Sequence, residues 1–337
     1  MNECLNIIEG LNDFVASSSY REAMNLPAQV TETYIDFAHG EYNQNFTFVH
    51  PVTGERYILR VERGSQMGLE HQIEYEFSGL KALEGCGRTP AALYCDGSKT
   101  LCKNGVLVET FLPGEKLDYK NQRHLDEASS IFAEIHAHAV PDDCNLIKAK
   151  NAFAEMLAEC KKMSAVYLES SICKPKVKAE IERLLSEGEE TVWNLGDIQN
   201  HFSIVNTEVN NTNFLINADE PSYLIDWEKP LIADPAQDIG HFLADTTTFW
   251  KTDFFFTAQQ KRDFVNDYIE RIDGRFKDTG LADRCLKFAN FTCLRGITWC
   301  AMASLEYANA TKDILDPVTA EKLVHYLDVD YLQSVNL

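Results

Sequence analysis

Apolar and polar positions along the chain follow two different rhythms, and the change from one to the other divides it. The run Phe46-Thr47-Phe48-Val49 leads into Pro51-Val52-Thr53-Gly54 and then into Tyr57-Ile58-Leu59-Arg60-Val61. β-branched and aromatic residues on both sides of a Pro/Gly turn predict a β-hairpin. Ile73, Phe77, Leu80 and Leu83 follow at helical spacing, and Gly85 marks the end of that helix. Val106-Leu107-Val108-Glu109 predicts a further strand, closed by Leu112-Pro113-Gly114. Beyond it the rhythm is helical. Ala128 to His138 carries Ile131 and Ile135 and stops before Pro141, and Ala152 to Tyr167, Val177 to Glu190 and the apolar stretch Phe291 to Tyr307 follow. A strand–turn–strand section from Val205 to Trp227 interrupts the helices. There is no internal repeat, low-complexity tract or long linker. The pattern predicts an α+β chain with a small β-rich N-terminal lobe over residues 1–110 and a larger, mainly helical C-terminal lobe over 111–337.

Length and composition agree with two lobes: 337 residues exceed one small core, and 45% hydrophobic with 25% charged residues is ordinary globular usage. A net charge of −21 without a Lys/Arg run argues against nucleic acid or an anionic membrane as partner. The acidity is compatible with a cationic substrate, although solubility is the plainer explanation. Ten cysteines at irregular spacing form no Cys-x-x-Cys pair. The segment Met1 to Gly10 has no basic cluster and is not expected to be a signal peptide, and the aromatic stretch Phe249 to Phe256 is broken by Lys251 and Asp253. A reduced, cytoplasmic protein is expected.

The densest chemistry lies between Asn206 and Asp226. The segment reads Asn206-Thr207-Glu208-Val209-Asn210-Asn211-Thr212-Asn213-Phe214-Leu215-Ile216, then Tyr223-Leu224-Ile225-Asp226-Trp227-Glu228. One carboxylate (Glu208), an amide five residues on (Asn213) and a second carboxylate thirteen further (Asp226) form an all-oxygen set. Phosphoryl transfer needs such a set: a carboxylate to orient a hydroxyl and take its proton, and oxygen ligands for magnesium. An ionised group directly after an apolar strand, as Asp226 is, also needs a partner. Each residue alone has an ordinary alternative, a surface acid for Glu208 and a turn residue for Asn213.

With these residues the chain resembles the aminoglycoside phosphotransferase and choline kinase family, whose pattern is His-Gly-Asp-x-x-x-x-Asn, a short hairpin, then Ile-Asp-Trp/Phe. Ala233-Asp234-Pro235-Ala236-Gln237-Asp238-Ile239 is similar to the family's Gly-Asp-Pro-x-x-Asp-Leu segment, and Phe132-Ala133-Glu134-Ile135-His136 to its Leu-x-x-Leu-His helix end. The resemblance, from about Gly40 to Leu243, implies a protein-kinase-like two-lobed fold using ATP and Mg2+ to phosphorylate a hydroxyl of a small molecule. It implies Glu208 as the catalytic carboxylate and Asn213 and Asp226 as metal ligands. It places Arg60 where the phosphate-anchoring lysine stands, with Glu76 as its pairing glutamate. Val108, Glu109 and Phe111 fall in the hinge whose backbone would meet the adenine ring, and Gly40 to Phe46 in the loop that covers the nucleotide.

Three positions depart from the family pattern: Asn206 for His, Glu208 for Asp and Arg60 for Lys. Asn206 can still hydrogen-bond backbone, and an arginine fork can serve carboxylate and phosphate together. Glu208 keeps the charge but moves it outward by one methylene, and a misplacement of about 1 Å can cost on the order of a hundredfold in rate. A catalytically inactive, nucleotide-binding protein on the same fold is therefore the competing expectation. Asp234-Pro235 is expected to cap a helix and Asp238 to fix the catalytic loop, while His136 and His138, two apart on a helix, face different ways and make no metal pair. Glu228 is left between a substrate-facing and a structural role. The sequence lacks Gly-x-Ser-x-Gly, His-Glu-x-x-His, the dinucleotide-binding glycine fingerprint and the Asp-Phe-Gly and Ala-Pro-Glu pair, which disfavours hydrolases, oxidoreductases and protein kinases.

Overall fold

A computed structural model describes residues 2–40, 42–196, 201–272, 274–308 and 317–337. After a 3-10 turn at Glu3–Ile7 come α1 (Leu11–Ala16), α2 (Ser18–Ala23), β1 (Ile35–His39), β2 (Asn43–Val49), β3 (Arg56–Glu62), α3 (Gln72–Ala82), β4 (Ala92–Asp96), β5 (Val106–Thr110) and β6 (Glu115–Lys116). The chain continues through α4 (Gln122–Ala137), α5 (Ala152–Leu168), α6 (Pro175–Leu195), β7 (Ser203–Val205), a 3-10 turn at Asn211–Asn213, β8 (Phe214–Ile216), β9 (Tyr223–Leu224) and β10 (Leu231–Ala233). It ends with α7 (Ala236–Leu243), α8 (Asp245–Lys251), α9 (Ala258–Ile272), α10 (Leu281–Ala308), α11 (Pro317–Tyr326) and α12 (Val329–Ser334). Two compact units result. The first is Met1–Lys116, His138–Ile147 and Asn213–Leu231, and the second is Leu117–Ala137, Lys148–Thr212 and Ile232–Leu337.

The first unit is built on an antiparallel sheet in the order β1-β2-β3-β5-β4. The predicted hairpin is its β2–β3 pair, with Asn45 opposite Arg60 and Arg60 opposite Leu107. Side chains alternate across a sheet, so Tyr57, Leu59 and Val61 share one face with Phe46, Phe48, Val106 and Val108, while Ile58, Arg60 and Glu62 take the other. Leu5, Leu11, Phe14, Val15 and Tyr20 cover the apolar face and complete a core with it. The N-terminal segment is thus helical where the sequence pattern suggests a strand-rich region. Its helices of six residues are shorter than the window over which helical periodicity can be read. Arg21 anchors this cover: it donates to Glu32 at 2.9 and 3.1 Å and to the carbonyls of Val15 and Gln29, both at 2.9 Å.

A small second sheet, β6-β8-β9, explains why the first unit differs from a simple division at residue 110. Lys116 pairs with Leu215, and Phe214 with Leu224, so backbone hydrogen bonds draw the Asn213–Leu231 segment into this unit.

The second unit is helical apart from the β7–β10 pair. Its longest helix, α10, packs against α5 and α7. Gly240 on α7 permits that approach, since a Cβ there would meet the Phe288 Cβ at 2.3 Å. All ten cysteines are free thiols, and no helix among the described residues is long and apolar enough to cross a membrane.

The Arg21–Glu32 pair is buried on both sides, with side chains 2% and 0% exposed. Glu32→Gln leaves the guanidinium without its counter-charge and is expected to cost about 3 kcal/mol of stability, read as a lower denaturant midpoint at unchanged slope. An unchanged midpoint would show that the carbonyls alone hold Arg21.

Candidate active site

In the first unit the β8–β9 hairpin begins directly after Asn213 and ends two residues before Asp226. The Ile225 N–H donates to the Asn213 carbonyl at 2.8 Å, which ties the two ends at a fixed separation. Trp227 is buried, and its Nε1 donates to the Leu224 carbonyl at 2.9 Å. Between a strand and this anchored indole, Asp226 takes a left-handed conformation at φ 65°. Aspartate tolerates that region better than most residues, and its carboxylate stays partly exposed at 37%.

That carboxylate meets Arg60. From the middle of β3, Arg60 Nη2 lies 3.1 Å from Asp226 Oδ1 and 3.0 Å from Glu228 Oε2, and Nε lies 2.7 Å from Glu76 Oε1. The Glu76 contact is an ion pair by distance without an aligned hydrogen bond. Glu228 is held from two more sides, its Oε2 accepting from Asn43 Nδ2 at 3.0 Å and its carbonyl from Gln72 Nε2 at 2.6 Å. Gly79 lets α3 close on this segment, since a Cβ there would meet Pro230 Cγ at 2.6 Å.

One guanidinium therefore faces Glu76, Asp226 and Glu228, with Glu109 also in its field. Burial alone would work against the charge on Arg60, yet the four carboxylates raise its pKa and keep it protonated. The acids lose in return. Glu76 is pushed up to about 8, chiefly by burial, with Arg60 pulling down and Glu109, Glu228 and Asp226 adding to the rise. Burial likewise raises Glu109 to about 7, with Arg60 lowering it and Asp226 raising it.

The hinge residues are placed separately. Glu109 shares the sheet face of Arg60, whereas Val108 points to the opposite face and is fully buried in the core there. Val108 can therefore reach a ligand only through its backbone. The ring of Phe111 carries the Arg56 guanidinium at 4.5 Å and meets Phe37 edge-on at 5.8 Å. The Phe111 N–H donates to the Arg56 carbonyl and the Thr110 N–H to the Ala91 carbonyl, both at 3.1 Å. In the loop between β1 and β2, Glu41 lies outside the described residues.

The second unit carries Glu208 on the loop after β7. Asp238, in the first turn of α7 and fully buried, accepts the N–H groups of Asn206 and Thr207 at 2.8 and 2.7 Å. It does fix this loop. Asn206 Oδ1 accepts the Glu208 N–H at 3.2 Å, a side-chain-to-backbone role that suits an amide in place of the family's histidine. Thr207 sits at φ 72°, a left-handed conformation that is a genuine outlier for a β-branched residue. Asp234 Oδ1 accepts the Ala236 N–H at 3.0 Å as a helix cap, and Arg284 Nε reaches Asp234 Oδ2 at 2.6 Å.

Within the first unit the fold thus gathers Arg60, Glu76 and Asp226 at one point, ties Asn213 to the residue before Asp226, and leaves Glu109 in the field of the cluster. Asn43 and Glu228 complete it. Sequence reasoning left the role of Glu228 open, and its place two residues after Asp226 is the signal that could have settled it; nothing local marks Asn43. Among the described residues no three His, Cys, Asp or Glu side chains converge as a metal cage. Carboxylate and amide oxygens, the donors present here, are the type that suits a hard cation such as magnesium.

The phosphotransferase enzyme family has a sequence model that matches residues 33–274. Three solved structures show the extent of the likeness. A Ralstonia eutropha protein assigned as an aminoglycoside phosphotransferase is 14% identical, with 95% of this chain and 98% of that one covered at a TM-score of 0.67. A spectinomycin phosphotransferase bound to ADP and spectinomycin is 12% identical, with 90% and 93% covered at 0.59. Choline kinase from Streptococcus pneumoniae is 17% identical, with 96% and 99% covered at 0.58. Comparison with curated protein sequences gives no match. The fold is the α+β kinase-like fold expected from the motifs.

The charge imbalance around Arg60 has a measurable sign. Glu76 and Glu109 hold their protons in the folded state at pH values where the unfolded chain, with carboxyls near 4.5, has released them. Their contribution to stability is complete below that value and is lost as pH rises through about 7 and about 8. Without nucleotide or divalent cation, the melting temperature of the wild type should therefore decline more steeply between about pH 5 and about pH 8.5 than that of Glu76→Gln. Equal slopes would remove Glu76 from the cluster's proton balance.

Proposed function

The chain belongs to the phosphotransferase enzyme family, and we propose that it transfers the terminal phosphoryl group of ATP to a hydroxyl of a small molecule, with magnesium as the metal. The reading is carried by one observation, the four carboxyl groups gathered around Arg60, more acids than one guanidinium balances. At an effective dielectric of about 20, two like charges about 4 Å apart repel by about 4 kcal/mol, so such a cluster favours an additional cation. Asn213 and Asp226 are the residues to hold it, at the two tied ends of the β8–β9 hairpin.

When bound, magnesium neutralises charge on the phosphates of the nucleotide. Arg60, kept protonated and oriented by Glu76, supplies N–H groups to those phosphates. Glu208 orients the acceptor hydroxyl and takes its proton, and the clamp of Asp238 on Asn206 and Thr207 supports the loop on which it does so. Val108, Glu109 and Phe111 carry the backbone proposed to meet the base; because the Thr110 and Phe111 N–H groups are already engaged, carbonyls of this segment or donors beyond it would serve. The net charge of −21 is compatible with a cationic acceptor, and the ten free thiols support a reducing compartment such as the cytoplasm.

Transfer from labelled ATP, with GTP in parallel, to a panel containing choline, ethanolamine, spectinomycin and an aminoglycoside tests the reading. Turnover is expected with magnesium and not after chelation. Asp226→Ala is expected to abolish it, and Glu208→Gln to lower kcat by on the order of a hundredfold or more with a smaller change in nucleotide affinity. Magnesium-dependent ATP binding without transfer to any acceptor or to water, unaltered by Glu208→Ala, would instead identify a nucleotide-binding protein without catalysis.

A further inference from the structure

Tyr268, on α9, has no part in the reading above, yet it heads a chain of hydrogen bonds that ends on the loop of Glu208. Its hydroxyl lies 2.8 Å from His136 Nδ1, and His136 Nε2 lies 3.4 Å from Asp238 Oδ2. The two Asp238 oxygens accept the Asn206 and Thr207 N–H groups at 2.8 and 2.7 Å. Tyr268, His136 and Asp238 are all 0% exposed, so a bond lost from this chain is not replaced by bulk water.

The direction of each link follows from what each group can donate. An ionised Asp238 only accepts, so in the neutral imidazole His136 Nε2 carries the proton. Nδ1 is then the acceptor and the Tyr268 hydroxyl the donor. Burial, with Cys285, Asp234, Asp238 and Asp278 in its field, raises the Tyr268 pKa far above its ordinary value and keeps that proton in place. The ring has little freedom to turn. It stacks on Phe132 at 5.6 Å and meets the Tyr268 ring edge-on at 5.7 Å. Its own carbonyl accepts Ser203 Oγ at 2.7 Å and bonds His201 Nε2 at 3.0 Å. Ser203 opens β7, the strand from which the Glu208 loop departs.

The far end of the chain holds a strained backbone. A left-handed Thr207 is strained, and the N–H groups of Asn206 and Thr207 are held by the Asp238 carboxylate on the side that precedes it. If the Asp238 carboxylate turns, the conformation immediately before Glu208 loses its support.

We propose that Tyr268 and His136 are positioning residues for phosphoryl transfer: Tyr268 holds His136 as the Nε2–H tautomer, and that tautomer holds the Asp238 carboxylate under the loop bearing Glu208. The proposal rests on the reading of Glu208 as the carboxylate that orients the acceptor. It also answers what a glutamate in that place requires, since a longer side chain depends more heavily on the placement of its backbone.

Tyr268→Phe removes only the hydroxyl. Transfer of the γ-phosphoryl group of ATP to the best acceptor of the panel, or to water where none reacts, is measured beside the KM for ATP and the melting temperature. Nitrogen-15 spectra of the imidazole-labelled protein read the tautomer. Tyr268→Phe is expected to lower kcat by about tenfold with the KM for ATP within about twofold, and to change His136 from one tautomer to a mixture. His136→Gln, which keeps a side-chain N–H, should retain more turnover per folded enzyme than His136→Ala. Wild-type kcat in folded Tyr268→Phe, an unchanged tautomer, or an imidazolium at His136 in the wild type would each overturn the proposal. Glu208→Gln separates the two claims: full turnover there removes Glu208 from catalysis and leaves the spectra to decide on the tautomer. Loss of turnover in Glu208→Gln with an unaffected Tyr268→Phe removes the positioning chain alone.

Discussion

The guanidinium of Arg60 is surrounded by more negative charge than it can balance, and the first unit is arranged around that fact. Glu76 comes to it from α3, and Asp226 and Glu228 from the exit of the β8–β9 hairpin. Without the cation these acids would repel one another in a partly buried place. With it they are held together, but at the cost of strongly raised carboxyl pKa values at Glu76 and Glu109. A structure that maximised stability alone would not gather so many acids around one base. An excess of acids over the base leaves such a place able to accept a further cation, which is what the proposed function builds on.

The second unit uses the complementary device, one buried anion that gathers donors. Asp238 accepts two consecutive backbone N–H groups and faces the imidazole of His136. The left-handed Thr207 follows directly on these two bonds. The strain is local and the support comes from three helices, α4, α7 and α9. Departure from the family's usual residue is absorbed in the same neighbourhood: Asn206 gives its side-chain oxygen to the Glu208 N–H and so contributes to the loop's shape.

Much of this was legible along the chain. The β2–β3 hairpin and α3 follow from alternation, helical spacing and turn residues, and they carry Arg60 and Glu76 to their places. The spacing of Asn213, Phe214-Leu215-Ile216, Tyr223-Leu224-Ile225 and Asp226 already describes a short hairpin with an oxygen-bearing side chain at each end, and the structure has that hairpin. The helical cover of the N-terminal sheet was not legible, because α1 and α2 are too short for a period to repeat. The side of β5 to which Val108 points was not legible either. A run of apolar residues buried on both faces loses the alternation that would tell one face from the other.

What the sequence determined by itself is everything that depends on neighbours within a few residues: the elements, the hairpin, the cap at Asp234 and the set of chemically able side chains. Tertiary structure alone decided the partners that lie far apart along the chain. Asn43 with Glu228, Arg60 with Asp226, and Tyr268 with His136 are separated by 185, 166 and 132 residues. No local pattern marks such pairs, because the free energy that selects them is the cost of leaving a buried charge or donor alone, and that cost exists only once packing has removed the water.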